Sequence, residues 1–463
     1  MTIAEAPAAR AHAQALANLI ARYDGRSPRY TSYPTAVQFT PAVDQAAYRG
    51  WLAALPADTP VSLYAHIPFC ARICWYCGCN TRAMNRPEPI SDYVGLLVRE
   101  AEMLGEALPA RLAANAIHLG GGSPNMLSAD DMDALFDGLG RVFRLTPDRE
   151  VSVEIDPARL TRDWVQAAAG HGLTRASLGV QNLDARVQAA VNRSETEQQV
   201  EQAVGWLREV GVRSINVDLM YGLPHQTTTN TLATLDSILR LAPERIALFG
   251  YAHVPWMKAN QQLIEEDALP GPAARLDQAE TAAEHLVAAG YVRVGLDHFA
   301  RPGDELAQAA SGGRLHRNFQ GYTTDAAETL LGLGASAIGR LPQGFVQNAA
   351  QELAWRTAVR EGRLPVARGV AFTDDDRLRG EIIERLMCDL AVDVGAVAAR
   401  HGRDPGELDG AMARLSPFVA DGLARIEGRR LQVVGDGRLV IRSICAVFDA
   451  YFDPEAGRHS RSL

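Results

Sequence analysis

Val61-Ser-Leu-Tyr64-Ala-His66-Ile-Pro68-Phe-Cys70-Ala-Arg-Ile-Cys74-Trp-Tyr76-Cys77-Gly78-Cys79-Asn80 is the stretch on which the reading of the fold turns. It opens as a short apolar strand and continues as a loop crowded with cysteine. From Val61 onward the chain repeats one pattern: an apolar strand, a loop with Gly, Pro or polar residues, then a longer amphipathic helix. The spacing predicts strands near 61–66, 115–119, 150–155, 174–178, 213–218 and 245–250. Helices are expected near 90–107, 128–142, 161–170, 196–210, 228–241 and 273–289. Repeated βα alternation with right-handed crossovers makes a parallel sheet, either open or curled into a barrel. Ligands of such sheets sit at the C-terminal ends of the strands.

The chain has 6 cysteines, of which Cys70, Cys74, Cys77 and Cys79 fall within one short loop. Cys388 and Cys445 are isolated and read as small buried apolar residues. A dense cluster in a long chain points to a metal site in a reducing compartment rather than to a disulfide framework. Cys70-x3-Cys74-x2-Cys77 supplies three thiolates, enough to hold three irons of a [4Fe-4S] cube and leave the fourth iron open. The alternative is a structural zinc on Cys70, Cys74, Cys77 and Cys79. Four cysteines in one loop would clamp little, and Cys77 and Cys79 are too close in sequence for relaxed tetrahedral chelation.

The other candidates follow strands. Gly120-Gly121-Gly122-Ser123-Pro124 is a turn in which glycine lets backbone N–H groups approach a ligand, although a plain tight turn has the same composition. Glu154 ends Val151-x-Val153-x-Ile155 and Asp218 ends Ile215-Asn216-Val217, where a parallel sheet presents its chemistry; a helix cap would use the same acids. Arg29-Tyr30 and His316-Arg317 read either as groups for an anionic substrate or as a packed aromatic arm and a solvated basic loop.

Tyr64-Ala-His-Ile-Pro-Phe-Cys70-x3-Cys74-x-Tyr76-Cys77-Gly-Cys79-Asn80 resembles the signature of the radical S-adenosylmethionine (SAM) superfamily, in the form of the oxygen-independent coproporphyrinogen III oxidase family. Arg29 to Ala36 (RYTSYPTA), Gly120 to Pro124, Glu154-Ile-Asp-Pro157, Gly179-Val-Gln181, Asp218 to Pro224, Tyr251 to Pro255 and Leu315 to Tyr322 resemble that family's segments in the same order, so nearly the whole chain is covered. The resemblance implies an α/β fold: a partial (β/α)6 radical-SAM barrel with an N-terminal arm and a mainly helical C-terminal domain. It also implies that Cys70, Cys74 and Cys77 hold a [4Fe-4S] cluster. Tyr64, Gly121, Glu154 and Ile338 would contact the SAM bound to it. Tyr76, Gly122, Ser123, Gln181, Arg193, Asp218 and Ala252 would hold a second SAM. Cys79 would be required for activity without ligating iron, and Tyr64 and Glu154 stand with it at the reacting centre. Ser123 replaces the more usual Thr, and Tyr76 the frequent Phe.

The activity so implied is conversion of two propionates of coproporphyrinogen III to vinyl groups, giving protoporphyrinogen IX, by a 5′-deoxyadenosyl radical made from SAM. A reduced flavodoxin- or ferredoxin-type donor would supply electrons. The four propionates of that substrate call for guanidinium groups, and Arg29 and Arg317 are expected to belong to the patch. A rival is the family's haem chaperone relatives, which share the three cysteines but typically lack Cys79 and the RYTSYPTA arm.

Composition is an ordinary globular mixture: 463 residues, 47% hydrophobic and 22% charged. A net charge of -9 speaks against nucleic-acid binding, and no apolar run is long enough for a membrane span. The opening MTIAEAPAARAHAQ lacks a secretory pattern, so a cytoplasmic monomer is expected; an organelle transit peptide is the alternative. A helix is expected near 9–23, on Leu16, Leu19, Ile20 and Tyr23. The expected division is an arm over the active site (1–55), the barrel (56–300), a barrel extension (301–371) and a helical domain (372–463). In the last, helices near 374–390, 392–401 and 406–415 precede a hairpin of 423–426 with 431–434, which together resemble a winged helix.

Overall fold

The structure is a computed structural model and describes residues 16, 18, 19, 21–23 and 27–453. The described residues of the 16–23 stretch are helical, and the rest of the expected 9–23 helix, Ile20 included, lies outside the described residues.

All six expected strands form: β1 (Pro60–Ile67), β2 (Ala113–Gly121), β3 (Arg144–Ile155), β4 (Arg175–Gln181), β5 (Ser214–Tyr221) and β6 (Arg245–Gly250). They pair in parallel in chain order. The helices between them are α1 (Pro87–Ala107), α2 (Ala129–Val142), α3 (Arg162–Gly170), α4 (Glu197–Glu209) and α5 (Thr228–Arg240), and α6 (Pro272–Ala288) follows β6. Their starts are set locally: Ser128 with Asp131, Thr196 with Gln199 and Thr227 with Asn230 close capping boxes. Strands laid in chain order with right-handed crossovers put every helix on one face of the sheet. The other face is left to line an interior, which is the geometry of a partial barrel.

The barrel does not close. Beyond β1 the sheet continues with Thr329–Leu333, parallel to β1, then antiparallel with Ile338–Leu341, Gly344–Asn348 and Val366–Ala371. Beyond β6 it continues with His298–Ala300 and Val292–Val294. None of these six added strands was expected, because each is three to six residues long and too short to show a period.

The C-terminal part has its own apolar core, to which Tyr30 and Tyr33 of the arm also belong. Its helices include Asp374–Asp389, Val394–Arg400 and Asp409–Ala413, and the hairpin pairs Ala424–Glu427 with Arg430–Val433. A third strand, Ala391–Asp393, joins Arg430–Val433, completing the small sheet of a winged-helix-like unit. A short helix, Ile441–Ala446, packs back on it. Cys445 is buried in that core, and Cys388 in a smaller cluster with Leu306, Leu315 and Tyr322. Among the described residues no helix is long and apolar enough to cross a membrane.

One buried carboxylate fastens the open edge beside β1. Glu100, on the apolar face of α1, accepts from Gly334 N (2.8 Å), Asn348 Nδ2 (2.6 Å) and Trp355 Nε1 (2.9 Å). Beside it Tyr93 Oη donates to His66 O (2.9 Å) and accepts from Ala335 N (2.9 Å). Burial pushes the Glu100 carboxyl up to about 7. The folded state therefore holds this proton where the unfolded chain has lost it, so stability falls as pH rises from the ordinary carboxylate range through about 7. The expected loss is about 3 kcal/mol. Urea unfolding at pH 5 and pH 8 should show that fall in the parent protein, and Glu100→Gln should flatten it while lowering stability at both.

Candidate metal and SAM centre

The C-terminal ends of the barrel strands open on a cavity of about 400 Å3. Its wall brings together Cys70, Cys74, Cys77 and Cys79, then Tyr76, Gly121, Gly122, Ser123, Glu154, Gln181, Arg193 and Asp218. Five expected residues stand outside that wall. Tyr64 sits behind it, donating to His66 Nδ1 (2.9 Å) and stacked on His118. Ala252 lies just past the end of β6. Ile338 lines a second cavity of about 640 Å3, as does Arg317, and the two cavities share Asn318, Thr323, Asp325 and Leu330. Arg29 is exposed and lines neither.

The cysteine loop has almost no regular structure, so side chains hold it. Asn260 Nδ2 lies 3.2, 3.0 and 2.9 Å from the carbonyl oxygens of Cys74, Trp75 and Cys77. Gln261 donates to Tyr76 O (2.9 Å), Asn192 to Ile73 O (2.8 Å) and Lys258 to Cys79 O (3.3 Å). His66 closes the loop's far end: Asn80 O can only accept, so Nε2 carries the proton at 2.9 Å and Nδ1 accepts from Tyr64. Asn260, Gln261 and Asn192 carried no signal in the sequence, being ordinary polar residues of distant loops.

Burial pushes the Cys70 thiol up to about 11, and raises Cys74 against the pull of Arg193. Cys77 is drawn down to about 6 by its hydrogen bond with Cys79, whose own thiol is raised by the same bond. Among the described residues no three His, Cys, Asp or Glu side chains converge as a single metal ion requires. Thiolates on three corners of a cube need not converge, since each meets a different iron. Three thiols facing one cavity, one of them 3.4 Å from a guanidinium that offsets thiolate charge, fit such a cluster.

The glycine strip behaves differently from its sequence reading. Its N–H groups are already engaged: Gly121 N donates to Glu154 Oε2 (2.8 Å), Gly122 N to Ile67 O (2.8 Å) and Ser123 N to Phe69 O (2.7 Å). The glycines serve close packing instead. A Cβ on Gly121, whose φ is +106°, would fall 2.3 Å from His66, and one on Gly122 would fall 2.6 Å from Phe69 O. What the strip offers an ammonium group is therefore carbonyl oxygen. Ser123 keeps the hydroxyl function, with Oγ 3.7 Å from Cys70 Sγ.

Neither acid caps a helix; at the end of β3 that task falls to Asp156. Burial opposes charge on Glu154, but the His118 hydrogen bond and Gly121 N hold its carboxyl below the usual range. Asp218 accepts from Ser177 Oγ (2.8 Å) and Asn216 Nδ2 (2.8 Å), and burial raises it to about 6. Gln181 is aimed by a break in the β4–β5 register and a φ of 67°. Arg193 gathers the remaining pieces: it donates to Tyr76 Oη (2.7 Å), Gly179 O (2.5 Å) and Glu195 Oε2 (2.8 Å). The Tyr76 hydroxyl thus has a partner that Phe would leave unused.

A model of the radical SAM superfamily matches residues 64–238, and one of the HemN C-terminal domain matches residues 372–440. The oxygen-independent coproporphyrinogen III oxidase of Bradyrhizobium diazoefficiens is 48% identical over 438 residues, 95% of this chain and 97% of that protein. That of Pseudomonas aeruginosa is 40% identical over 94% of this chain and 95% of its own length. The solved coproporphyrinogen III oxidase of Escherichia coli, a radical SAM enzyme, superposes with a TM-score of 0.88 at 36% identity, covering 92% of this chain and 98% of its own. From the cysteine loop to the C-terminal unit, the chain belongs to the oxygen-independent coproporphyrinogen III oxidase family of the radical SAM superfamily.

Proposed function

We propose that the protein carries out oxidative decarboxylation of two propionates of coproporphyrinogen III, yielding protoporphyrinogen IX. What carries this reading is one wall: three thiols of the Cys-x3-Cys-x2-Cys loop and the glycine strip face the same cavity, which adjoins a larger one. Bound by these thiols, a [4Fe-4S] cluster would supply the single electron that reductive cleavage of SAM to methionine and a 5′-deoxyadenosyl radical requires. Cys70, Cys74 and Cys77 hold the cluster, and the loop bonds from Asn260 and Gln261 fix their spacing before it binds. Tyr64, Gly121, Glu154 and Ile338 orient the SAM at the cluster. Tyr76, Gly122, Ser123, Gln181, Arg193, Asp218 and Ala252 hold a second SAM, in keeping with the two propionates that react. Each reacting propionate would lose a hydrogen atom from its β-carbon to that radical, giving 5′-deoxyadenosine, and then CO2 and one electron, the electron passing to an external one-electron acceptor, to leave a vinyl group. The apolar strands behind the cavity keep water from the radical. Arg29 and Arg317 meet propionates.

A reduced flavodoxin- or ferredoxin-type protein supplies the electron, and the enzyme works as a cytoplasmic monomer divided at about residues 55, 300 and 371. Anaerobic incubation with coproporphyrinogen III, SAM, a reductant and a one-electron acceptor should yield protoporphyrinogen IX, CO2, methionine and 5′-deoxyadenosine. Haem binding without decarboxylated product would overturn the reading in favour of a chaperone.

A further inference from the structure

We propose that Trp256, Met257, Leu263 and Leu353 form the docking face of an acidic flavodoxin-type protein, which delivers there the electron that cleavage of SAM requires. The inference rests on the proposed function and gives its electron donor a place on the surface.

Apolar side chains scattered singly over a surface need no explanation, but a group rimmed by polar residues marks an interaction site. Among the described residues the four most exposed large apolar side chains are Leu353 (76%), Trp256 (63%), Met257 (63%) and Leu263 (60%), and the next, Val287, falls to 48%. All four flank the cysteine loop. Trp256, Met257 and Leu263 share a segment with Lys258, Asn260 and Gln261, whose side chains bond carbonyl oxygens of the loop from Cys74 to Cys79. Leu353 follows Glu352, which pairs with Arg82 at 2.6 Å, and beside it Asn80 Nδ2 donates to Ala350 O (2.8 Å). One segment thus grips the loop at its cysteines and the other at its far end, and both expose apolar side chains to solvent. A protein seated on them lies against the loop that holds the cluster.

Charge points to the kind of partner. Residues 70–87 carry Arg72, Arg82 and Arg86, residues 254–264 carry Lys258, and neither stretch contains an acid; carboxylates resume at Glu88 and Glu265. Arg72 and Arg82 are paired with Glu195 and Glu352. Among the described residues Arg86 and Lys258 meet no carboxylate, and Arg86 is exposed. In a chain of net charge -9 this is a local positive rim around an apolar centre. It complements a carrier that surrounds the apolar edge of a flavin with carboxylates. The anionic flavin hydroquinone gives up one electron and no proton, and that electron reduces the cluster held by Cys70, Cys74 and Cys77.

The test mixes the anaerobic holoenzyme with a purified bacterial flavodoxin in its hydroquinone form. Met257→Glu with Leu263→Glu sets two carboxylates against an acidic partner, and should weaken flavodoxin binding and slow cluster reduction about tenfold. Arg86→Glu should slow association and flatten its dependence on salt. Dithionite, which needs no docking face, should reduce parent and variants at equal rates, and iron content and melting temperature should stay at parental values. Hydrogen exchange reads the contact without turnover: amides of 254–264 should gain protection when flavodoxin is added to the parent. Parental binding and reduction by flavodoxin in the double variant, equal slowing with dithionite, or a loss seen with a ferredoxin and not with flavodoxin would overturn the assignment. Should the double variant not fold, exchange in the parent decides, and no gain at 254–264 would overturn it. A parent protein that fails to cleave SAM after reduction by dithionite would instead bring down the proposed function.

Discussion

Replacing Cys74 by serine is expected to abolish cluster assembly and, with it, turnover. The serine hydroxyl is a hard, poorly ionised donor where the cluster needs a thiolate, and Arg193, 3.4 Å from Cys74 Sγ, offers its charge to a sulfur that is no longer there. The anaerobically purified variant should lack the brown absorption of the cluster and its labile sulfide, and turnover should fall by more than about a thousandfold, because the radical has no other source. The chain should still fold, since the loop is held by backbone carbonyls that Asn260 and Gln261 reach in either case. Cys79→Ser is the informative contrast. Cys79 faces the same cavity and pairs with Cys77. Its loss should leave iron and sulfide near parental content while removing product. Full cluster loss in Cys79→Ser would make it a ligand and bring down the three-thiolate arrangement.

The second large effect is expected at Arg193. Its side chain and that of Glu195 are 9% and 1% exposed, so Arg193→Met leaves a carboxylate with almost no water and only the more distant Arg72, at 3.9 Å, as counter-charge. Breaking a buried pair from one side costs about 3–5 kcal/mol. The same change frees Tyr76 Oη and Gly179 O, which face the cavity where SAM is proposed to bind. Thermal melting should show the loss of stability. Arg193→Met with Glu195→Gln should recover most of it, because no uncompensated charge remains. SAM binding, measured by equilibrium dialysis on the reconstituted protein, should stay weak in both. Full recovery of SAM affinity in the double variant would limit Arg193 to a structural role.

Much of the site is written in local patterns. The intervals between Cys70, Cys74 and Cys77 specify three thiolates on one loop, and the alternating apolar residues of Val151-x-Val153-x-Ile155 put Glu154 at a strand end. The same patterns mislead where their meaning depends on neighbours across the fold. The glycine strip read either as N–H donors for a ligand or as a plain tight turn, and Glu154, Ile67 O and Phe69 O have taken the donors. Glu154 and Asp218 could equally have been caps, until Asp156 and the Ser177–Asn216 pair settled what each acid touches.

The six parallel strands of the barrel, the long helices between them and a loop of three thiolates are legible in the chain alone, because each depends on periodicity or spacing among residues close in sequence. What braces the cysteine loop, and which arginine stands beside its thiols, depends on the tertiary fold. Asn260 reaches Cys74 from 186 residues away, and Arg193 reaches it from 119. Contacts of that range leave no local pattern. They exist because crossovers stack the strands side by side.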